Sequence, residues 1–300
     1  MTVDASIFRG LSAFPLTPAD ADGVVDTDAF AVMIDWLVKA GVDSIAVMGS
    51  TGTYAYLDRS ERSRALSCAV ETVARRVPLI VGIGAMRTSW VNELARDAER
   101  LGADGLLLAP VSYAPLTQDE VFRHFDAIAA TTGLPICIYN NPTTTHFSFS
   151  SELVTRLSRV SGIAAIKMPL PADGDFAGEM GRLRSSCREG LIVGYSGDWG
   201  AGPALLAGAD AWYSVVAGLL PVQALRLTRA ALCGDHVSTI AVDAAFGPLW
   251  TLFRTHGSLR VMYLIADQLG LRSGQPPLPV QPLDGSVRLA VAKAMEAIAR

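Results

Sequence analysis

Lysine is scarce in this chain. Among 300 residues with 25 lysines and arginines together, only Lys39, Lys167 and Lys293 are lysines. Lys167 closes the apolar run IAAIK at 163–167, so its ammonium stands at the end of a stretch that water would not solvate well. An ordinary lysine titrates near ~10.4, which leaves only about 0.04% free amine at neutral pH. Withdrawal from water disfavours the charged form and can bring a lysine to about 7–8, where the amine is a usable nucleophile. Such an amine condenses with a carbonyl to give a Schiff base. The protonated imine is an electron sink that supports aldol, retro-aldol or dehydration chemistry beside a 2-oxo carbon. The other reading of a lysine in this position is a side chain that snorkels to water or pairs with a carboxylate.

Two further features could serve the same chemistry. Tyr139 closes the run LPICIY at 134–139. On a strand next to that of Lys167, its phenol could move protons to and from the imine carbon and the departing water. In isolation it is equally a rim tyrosine with a satisfied hydroxyl. The segment GSTG at 49–52 follows an apolar run. Its glycines, including Gly52, let a backbone approach a ligand, and the hydroxyls of Ser50 and Thr51 with nearby N–H groups could hold a carboxylate. An ordinary turn capped by hydroxyls reads the same way. It is not a phosphate loop, because no Gly-Lys-Ser/Thr follows.

Other chemistries are poorly supplied. His124, His146, His236 and His256 are scattered, whereas a metal-dependent aldolase wants clustered ligands, so no metal and no external cofactor are expected. Cys68, Cys137, Cys187 and Cys233 form no CxxC pair, which disfavours a disulfide framework or a structural zinc. Cys137 falls inside an apolar run and reads as core.

The elements that must position these residues alternate along the chain. Apolar runs at 11–15, 44–48, 78–83, 105–108, 134–139, 163–167, 191–195 and 211–216 read as strands. Helical patterns at 29–39, 59–74, 90–101, 119–131, 151–160, 176–188 and 201–207 separate them. Asp26 and Thr27 offer caps for the first helix. The strand runs are continuous rather than alternating, as expected for parallel strands covered on both faces. Gly41, Gly102, Gly133, Gly162, Gly190 and Gly208 stand where left-handed helix caps would end each helix before the next strand. Eight such units predict a (β/α)8 TIM barrel over residues 1–222, with its active site at the carboxyl ends of the strands. A doubly wound open sheet would show a G-x-G-x-x-G fingerprint, and none occurs. From 223 to 300 the strands stop. Helices at 223–234, 240–255, 258–269 and 287–299, with a proline-rich linker at 275–282, predict a C-terminal helical region.

Composition narrows the partners. Half the residues are hydrophobic, 18% are charged and the net charge is −4, with no basic block, so nucleic acid is not an expected partner. The longest apolar stretch, 211–220, is about half of the ~20 residues a membrane-spanning helix needs. The start, MTVDASIFRG, has no apolar signal core, so a cytoplasmic protein without a membrane partner is expected.

With these residues in view, the chain resembles the dihydrodipicolinate synthase / N-acetylneuraminate lyase family over nearly its whole length. The likeness runs through AFPLTP (13–18), GSTGT (49–53), GIGA (82–85), APVSYAPL (109–116), YNNP (139–142), IKM (166–168) and SGD (196–198). The resemblance implies a (β/α)8 barrel with a C-terminal helical region, assembled as a homotetramer. It implies Lys167 as the Schiff-base lysine, Tyr139 as the proton-relay tyrosine and Ser50 at the relay hydroxyl position. Ser50 and Thr51 would hold the 2-oxo acid carboxylate, and Tyr213 falls where a backbone group faces bound pyruvate.

The departures concern the second substrate. The last residue of the loop is Thr53, where the family often has glutamate. The relay tyrosine that a neighbouring subunit lends in dihydrodipicolinate synthases corresponds to Ser112, with Tyr113 one residue on. The arginine that recognises the aldehyde's carboxylate corresponds to Thr144, and a threonine cannot replace a bidentate guanidinium. The expectation is therefore a Schiff-base-forming lyase or aldolase acting on pyruvate or a pyruvate-derived 2-oxo acid. An aldehyde is a possible co-substrate, with Ser112, Tyr113, Asn141 and Thr144 lining the mouth. The alternatives are the family's name-giving synthase reaction in lysine biosynthesis, or a barrel that binds a keto acid without turnover.

Overall fold

The computed structural model describes residues 4–299; residues 1–3, where the segment read for a leader begins, and residue 300 lie outside it. Eight strands form the centre: β1 Gly10–Ala13, β2 Ser44–Val47, β3 Leu79–Gly82, β4 Gly105–Leu108, β5 Ile136–Tyr139, β6 Ile163–Met168, β7 Ile192–Tyr195 and β8 Ala211–Ser214. They close into one barrel in chain order, all parallel, with β8 returning to β1. This is the expected (β/α)8 fold. Each strand is followed by a helix, and an extra short helix, Pro142–Thr145, sits between β5 and its partner helix Ser151–Ser158.

The continuous apolar runs serve two cores at once. Alternate residues point inward, where Ala46, Ile80, Leu107, Cys137, Ala165, Ile192 and Tyr213 fill the barrel. Their neighbours, among them Ile45, Val81, Leu106, Ile138, Ile166 and Trp212, point outward against the helices. One strand breaks the alternation. Between β5 and β6 the register shifts by one residue after Ile136↔Ile163, so that Cys137 faces Ala165 and Tyr139 faces Lys167. Ile163 belongs to the outer core. Strict alternation would have put Lys167 outward as well, and the extra residue at Ala164 turns it into the barrel.

The amino-terminal rim is closed by aspartates placed just before even-numbered strands. Asp43 accepts the N–H of Leu11 at 2.7 Å, Asp104 that of Leu79 at 2.8 Å and Asp210 that of Val193 at 2.8 Å. Asp43 also holds Arg229 through two bonds of 2.8 Å, which fastens helix Pro221–Leu232 to the barrel floor. Of the glycines expected as helix caps, Gly41, Gly102, Gly162, Gly190 and Gly208 have positive φ. Gly133 does not. Helix Gln118–Ala129 ends on Ala130 in right-handed helical geometry. The connection is then turned by hydroxyls, with Thr131 Oγ1 donating to Ile128 O and Leu134 N donating to Thr132 Oγ1.

The carboxyl-terminal helices are Pro221–Leu232, His236–His256, Ser258–Gln268 and Gly285–Ala299. Trp250 stacks on Phe246 with centroids 4.6 Å apart and meets Trp212 of β8 edge-on, so the tail packs on the barrel wall. Among the described residues no helix is long and apolar enough to cross a membrane.

Candidate active site

Lys167 and Tyr139 are register partners at the carboxyl ends of β6 and β5. Lys167 is 2% exposed. Its Nζ lies 3.7 Å from the ring centroid of Phe14, 4.3 Å from that of Tyr139 and 6.0 Å from that of Tyr213. Among the described residues no carboxylate comes within 4.0 Å of it, and it makes no hydrogen bond to a protein acceptor. The lysine therefore neither snorkels nor pairs. Its positive charge is faced by aromatic rings, whose π electrons attract a cation by about 0.5–2 kcal/mol each. That is far weaker than the hydration it gives up on burial.

Phe14 is held over Lys167 by two glycines. A Cβ on Gly49 would come within 2.7 Å of the Phe14 ring, and one on Gly218 within 2.5 Å of the Phe14 carbonyl oxygen. Gly218 belongs to the loop after β8, and Asp198 fixes that loop. The Asp198 carboxylate accepts the indole N–H of Trp212 at 2.9 Å, Val215 N–H at 3.1 Å and Val216 N–H at 2.7 Å. Full burial pushes Asp198 up to about 6 in spite of these three donors.

The Tyr139 hydroxyl lies 3.3 Å from Ser50 Oγ and accepts from Asn141 Nδ2 at 2.9 Å. Ser50, Thr51 and Gly52 occupy a tight loop bounded by Met48 and Thr53, both in the left-handed region at φ 53° and 52°. For a β-branched residue such as Thr53 this conformation costs about 1–2 kcal/mol and marks a segment whose shape is imposed from outside. The loop is pinned by Thr53 N–H donating to Ser50 O at 3.1 Å. The N–H groups of Thr51 and Gly52 have no acceptor among the described residues, so they are free donors beside Ser50. Gly52 packs too closely on Met48 for any side chain: a Cβ would lie 2.9 Å from Met48 N.

Other expected residues lie further from Lys167 or face elsewhere. Tyr213 is buried with its hydroxyl turned down the barrel, 3.3 Å from Phe8 O and 3.8 Å from Cys137 Sγ. Only its ring approaches the lysine. Burial pushes the Cys137 thiol up to about 12, so it stays protonated and inert. Ser112 donates its hydroxyl to Ala114 O at 2.6 Å within its own loop, and Tyr113 is 96% exposed. Thr144 is an exposed residue of the short helix Pro142–Thr145. Among the described residues no three His, Cys, Asp or Glu side chains gather as metal ligands.

Sequence reasoning passed over several contributors. Phe14 is visible only as a strand end, Thr143 gives no signal, and Asn141 is expected at the mouth but not as a donor to Tyr139. Tyr54 and Arg62 gave no signal at all. The guanidinium of Arg62 lies 4.9 Å over the Tyr54 ring and donates to Gly84 O at 3.0 Å. Burial lowers Arg62 to about 10 and raises Tyr54 to about 12. The two wall a cavity of about 460 Å³ beside the loops after β2, β3 and β4.

Comparison with known proteins gives a consistent result. The model of the dihydrodipicolinate synthetase family matches residues 7–298. The chain is 32% identical over 292 residues to the 4-hydroxy-tetrahydrodipicolinate synthase of Saccharophagus degradans, covering 97% of this chain and 99% of that one. It is 34% identical over 300 residues to the enzyme of the same name from an Acidovorax species, covering 99% of each. The crystal structure of a dihydrodipicolinate synthase from Agrobacterium tumefaciens superposes with a TM-score of 0.97 at 54% identity, covering 98% of this chain and 99% of that one.

Proposed function

Because the chain belongs to the dihydrodipicolinate synthetase family, a family of class I aldolase-type lyases, we propose that it forms a Schiff base between Lys167 and pyruvate or a pyruvate-derived 2-oxo acid. The observation that carries this reading is a buried lysine, unpaired by any carboxylate among the described residues, beside a tyrosine hydroxyl that is linked to Ser50. In this reading Lys167 attacks the ketone and gives a carbinolamine. The carbinolamine oxygen leaves as water, using a proton passed from Tyr139 through Ser50, and the nitrogen becomes a protonated imine. The phenolate so formed then takes a proton from the carbon next to the imine. The resulting enamine attacks an aldehyde, or the reverse path breaks a carbon–carbon bond or expels a hydroxyl. The free N–H groups of Thr51 and Gly52 hold the substrate carboxylate. Tyr213 contributes its backbone and the floor of the site, not its hydroxyl.

Ser112, Tyr113, Asn141 and Thr144 select the partner at the mouth. They bring three hydroxyls, one amide and no charge, which fits a neutral, hydroxylated aldehyde or a sugar-derived keto acid. The second reading is the synthase reaction with aspartate semialdehyde, and the names of the relatives favour it. Thr144 stands against it, because it brings no guanidinium to a second carboxylate. A cytoplasmic homotetramer completes the proposal. Tyr113 and Met86 in loops and Trp90 in the first turn of helix Thr88–Leu101, all at least half exposed, support association through these segments, and light scattering after gel filtration tests it.

The decisive experiment is reduction with borohydride in the presence of pyruvate, with the adduct mapped by mass spectrometry. An adduct at Lys167 is expected. No adduct, or one at Lys39 or Lys293, would overturn the mechanism. An adduct at Lys167 with no product from any aldehyde would favour a binding protein without turnover. Robust coupling to aspartate semialdehyde would overturn the argument from Thr144.

A further inference from the structure

The Tyr139 hydroxyl sits in a chain of hydrogen bonds that runs one way. Thr143 Oγ1 donates to Asn141 Oδ1 at 2.7 Å. That bond turns the amide NH2 of Asn141 toward Tyr139, where Nδ2 donates to Oη at 2.9 Å. Ser50 Oγ is the other partner of the phenol among the described residues, at 3.3 Å. The phenol oxygen accepts from Asn141, and Ser50 is the acceptor within reach of the phenol proton among the described residues, so donation to Ser50 leaves the Ser50 proton to point into the site. The backbone holds this arrangement. Asn141 is the cap of helix Pro142–Thr145, and its carbonyl accepts Thr144 N–H at 3.1 Å, Thr145 N–H at 3.0 Å and Thr145 Oγ1 at 2.9 Å.

We propose that Asn141, oriented by Thr143, is a positioning residue that sets the direction of proton flow through Tyr139. The proposal rests on the reading of Lys167 and Tyr139 given above. When the carbinolamine loses water, Ser50 gives its proton to the departing oxygen and Tyr139 gives its proton to Ser50. The negative charge left on Tyr139 Oη balances the positive charge gained by the imine nitrogen. The Asn141 N–H points at the oxygen on which that charge appears. It therefore favours the charged stage over the resting phenol, which accelerates the step without touching the 2-oxo acid.

The test is rapid-quench borohydride trapping of the full-length protein with saturating pyruvate. Asn141→Leu should slow adduct formation by about 10- to 100-fold, the range for a lost bond to a charged oxygen. The final trapped fraction and the pyruvate dependence should stay as in wild type. Thr143→Val should give a smaller, few-fold loss, because the amide can then turn over. Asn141→Asp, a near-isosteric change for the event that the leucine variant misfolds, should be at least as slow as Asn141→Leu, because its carboxylate draws the phenol proton away from Ser50. In a Tyr139→Phe background Asn141→Leu should add nothing, since both act through one hydroxyl. Wild-type trapping rates in both Asn141 variants, or losses that multiply with that of Tyr139→Phe, would overturn the proposal. A wild-type protein that is not trapped at Lys167 would instead overturn the reading beneath it.

Discussion

Asp198 sets two effects against each other, and their balance can be measured. Its carboxylate is fully buried, which disfavours the charge, and it accepts three N–H bonds, which favour the charge. Burial wins, raising the group from 3.8 to about 6. A shift of about two units corresponds to about 3 kcal/mol between protonation states. An acid raised on folding contributes stability that is fully present below its unfolded value and is lost as pH rises through the folded one. The window here therefore runs from 3.8 to about 6. Asp198→Asn keeps the shape and removes the titration. Urea unfolding of the wild type and this variant should be compared from about pH 4.5 to about pH 7.5, where the difference in their stabilities isolates this one group. The wild type should lose about 2 kcal/mol relative to the variant across that interval. A flat difference would show that the three donors balance or outweigh burial, because a carboxylate held at or below 3.8 titrates beneath this interval, and the ordering of effects argued here would be wrong. Removing the carboxylate altogether, as in Asp198→Ala, frees the loop that carries Gly218 against Phe14, so the trapping rate at Lys167 should fall with it.

Two further predictions concern the scaffold. Gly194→Ala puts a Cβ 2.5 Å from the Tyr213 ring and 2.8 Å from Ala211 O. A loss of about 1–3 kcal/mol in thermal or urea unfolding is expected. Adding Tyr213→Leu should recover only part of it, because the backbone clash remains; full recovery would show that the ring alone excludes the side chain. Asp43→Ala strands the buried N–H of Leu11 and should cost about 2 kcal/mol. Arg229→Leu removes only the half-exposed ion pair and should cost at most about 1 kcal/mol. Equal losses in the two variants would mean that the ion pair, not the backbone acceptor, closes that part of the rim.

The barrel was legible because the same physical demand repeats eight times: an apolar run buried on both faces, then an amphipathic helix. Helix ends deviate by up to four residues, the most at the start of His236–His256, where Asp235 caps the helix by accepting Ser238 N–H one turn earlier than the apolar pattern begins. Lys167 and Tyr139 could be recognised as neighbours because each closes a run and strands pair in chain order. What sequence periodicity could not show was the inward aim of the lysine. Counting alternation from Ile163 sends Lys167 outward, and only the register shift at Ala164 reverses it. Gly133 misled for a related reason. Its cap is supplied by the hydroxyls of Thr131 and Thr132, and a glycine next to two threonines does not say which device ends the helix. The pairings of Asp198 with Trp212 and of Arg62 with Tyr54 leave no pattern in the sequence, although SGD at 196–198 marks Asp198 itself.

The interior also shows why no counter-charge reaches the buried lysine. Below Lys167 the barrel is filled by Tyr213, which fits because position 194 is glycine. The Tyr213 hydroxyl is already engaged with Phe8 O at the bottom, so the floor offers the ammonium no acceptor. Phe14 closes one side, held by Gly49 and Gly218, and the Tyr139 ring closes another. In the loop after β2 the N–H groups of Thr51 and Gly52 have no acceptor among the described residues, and the Ser50 hydroxyl there meets Tyr139. A carbonyl compound that brings its own carboxylate to that loop is thus the natural partner for the amine. It supplies the negative charge the protein withholds, and it does so only while bound.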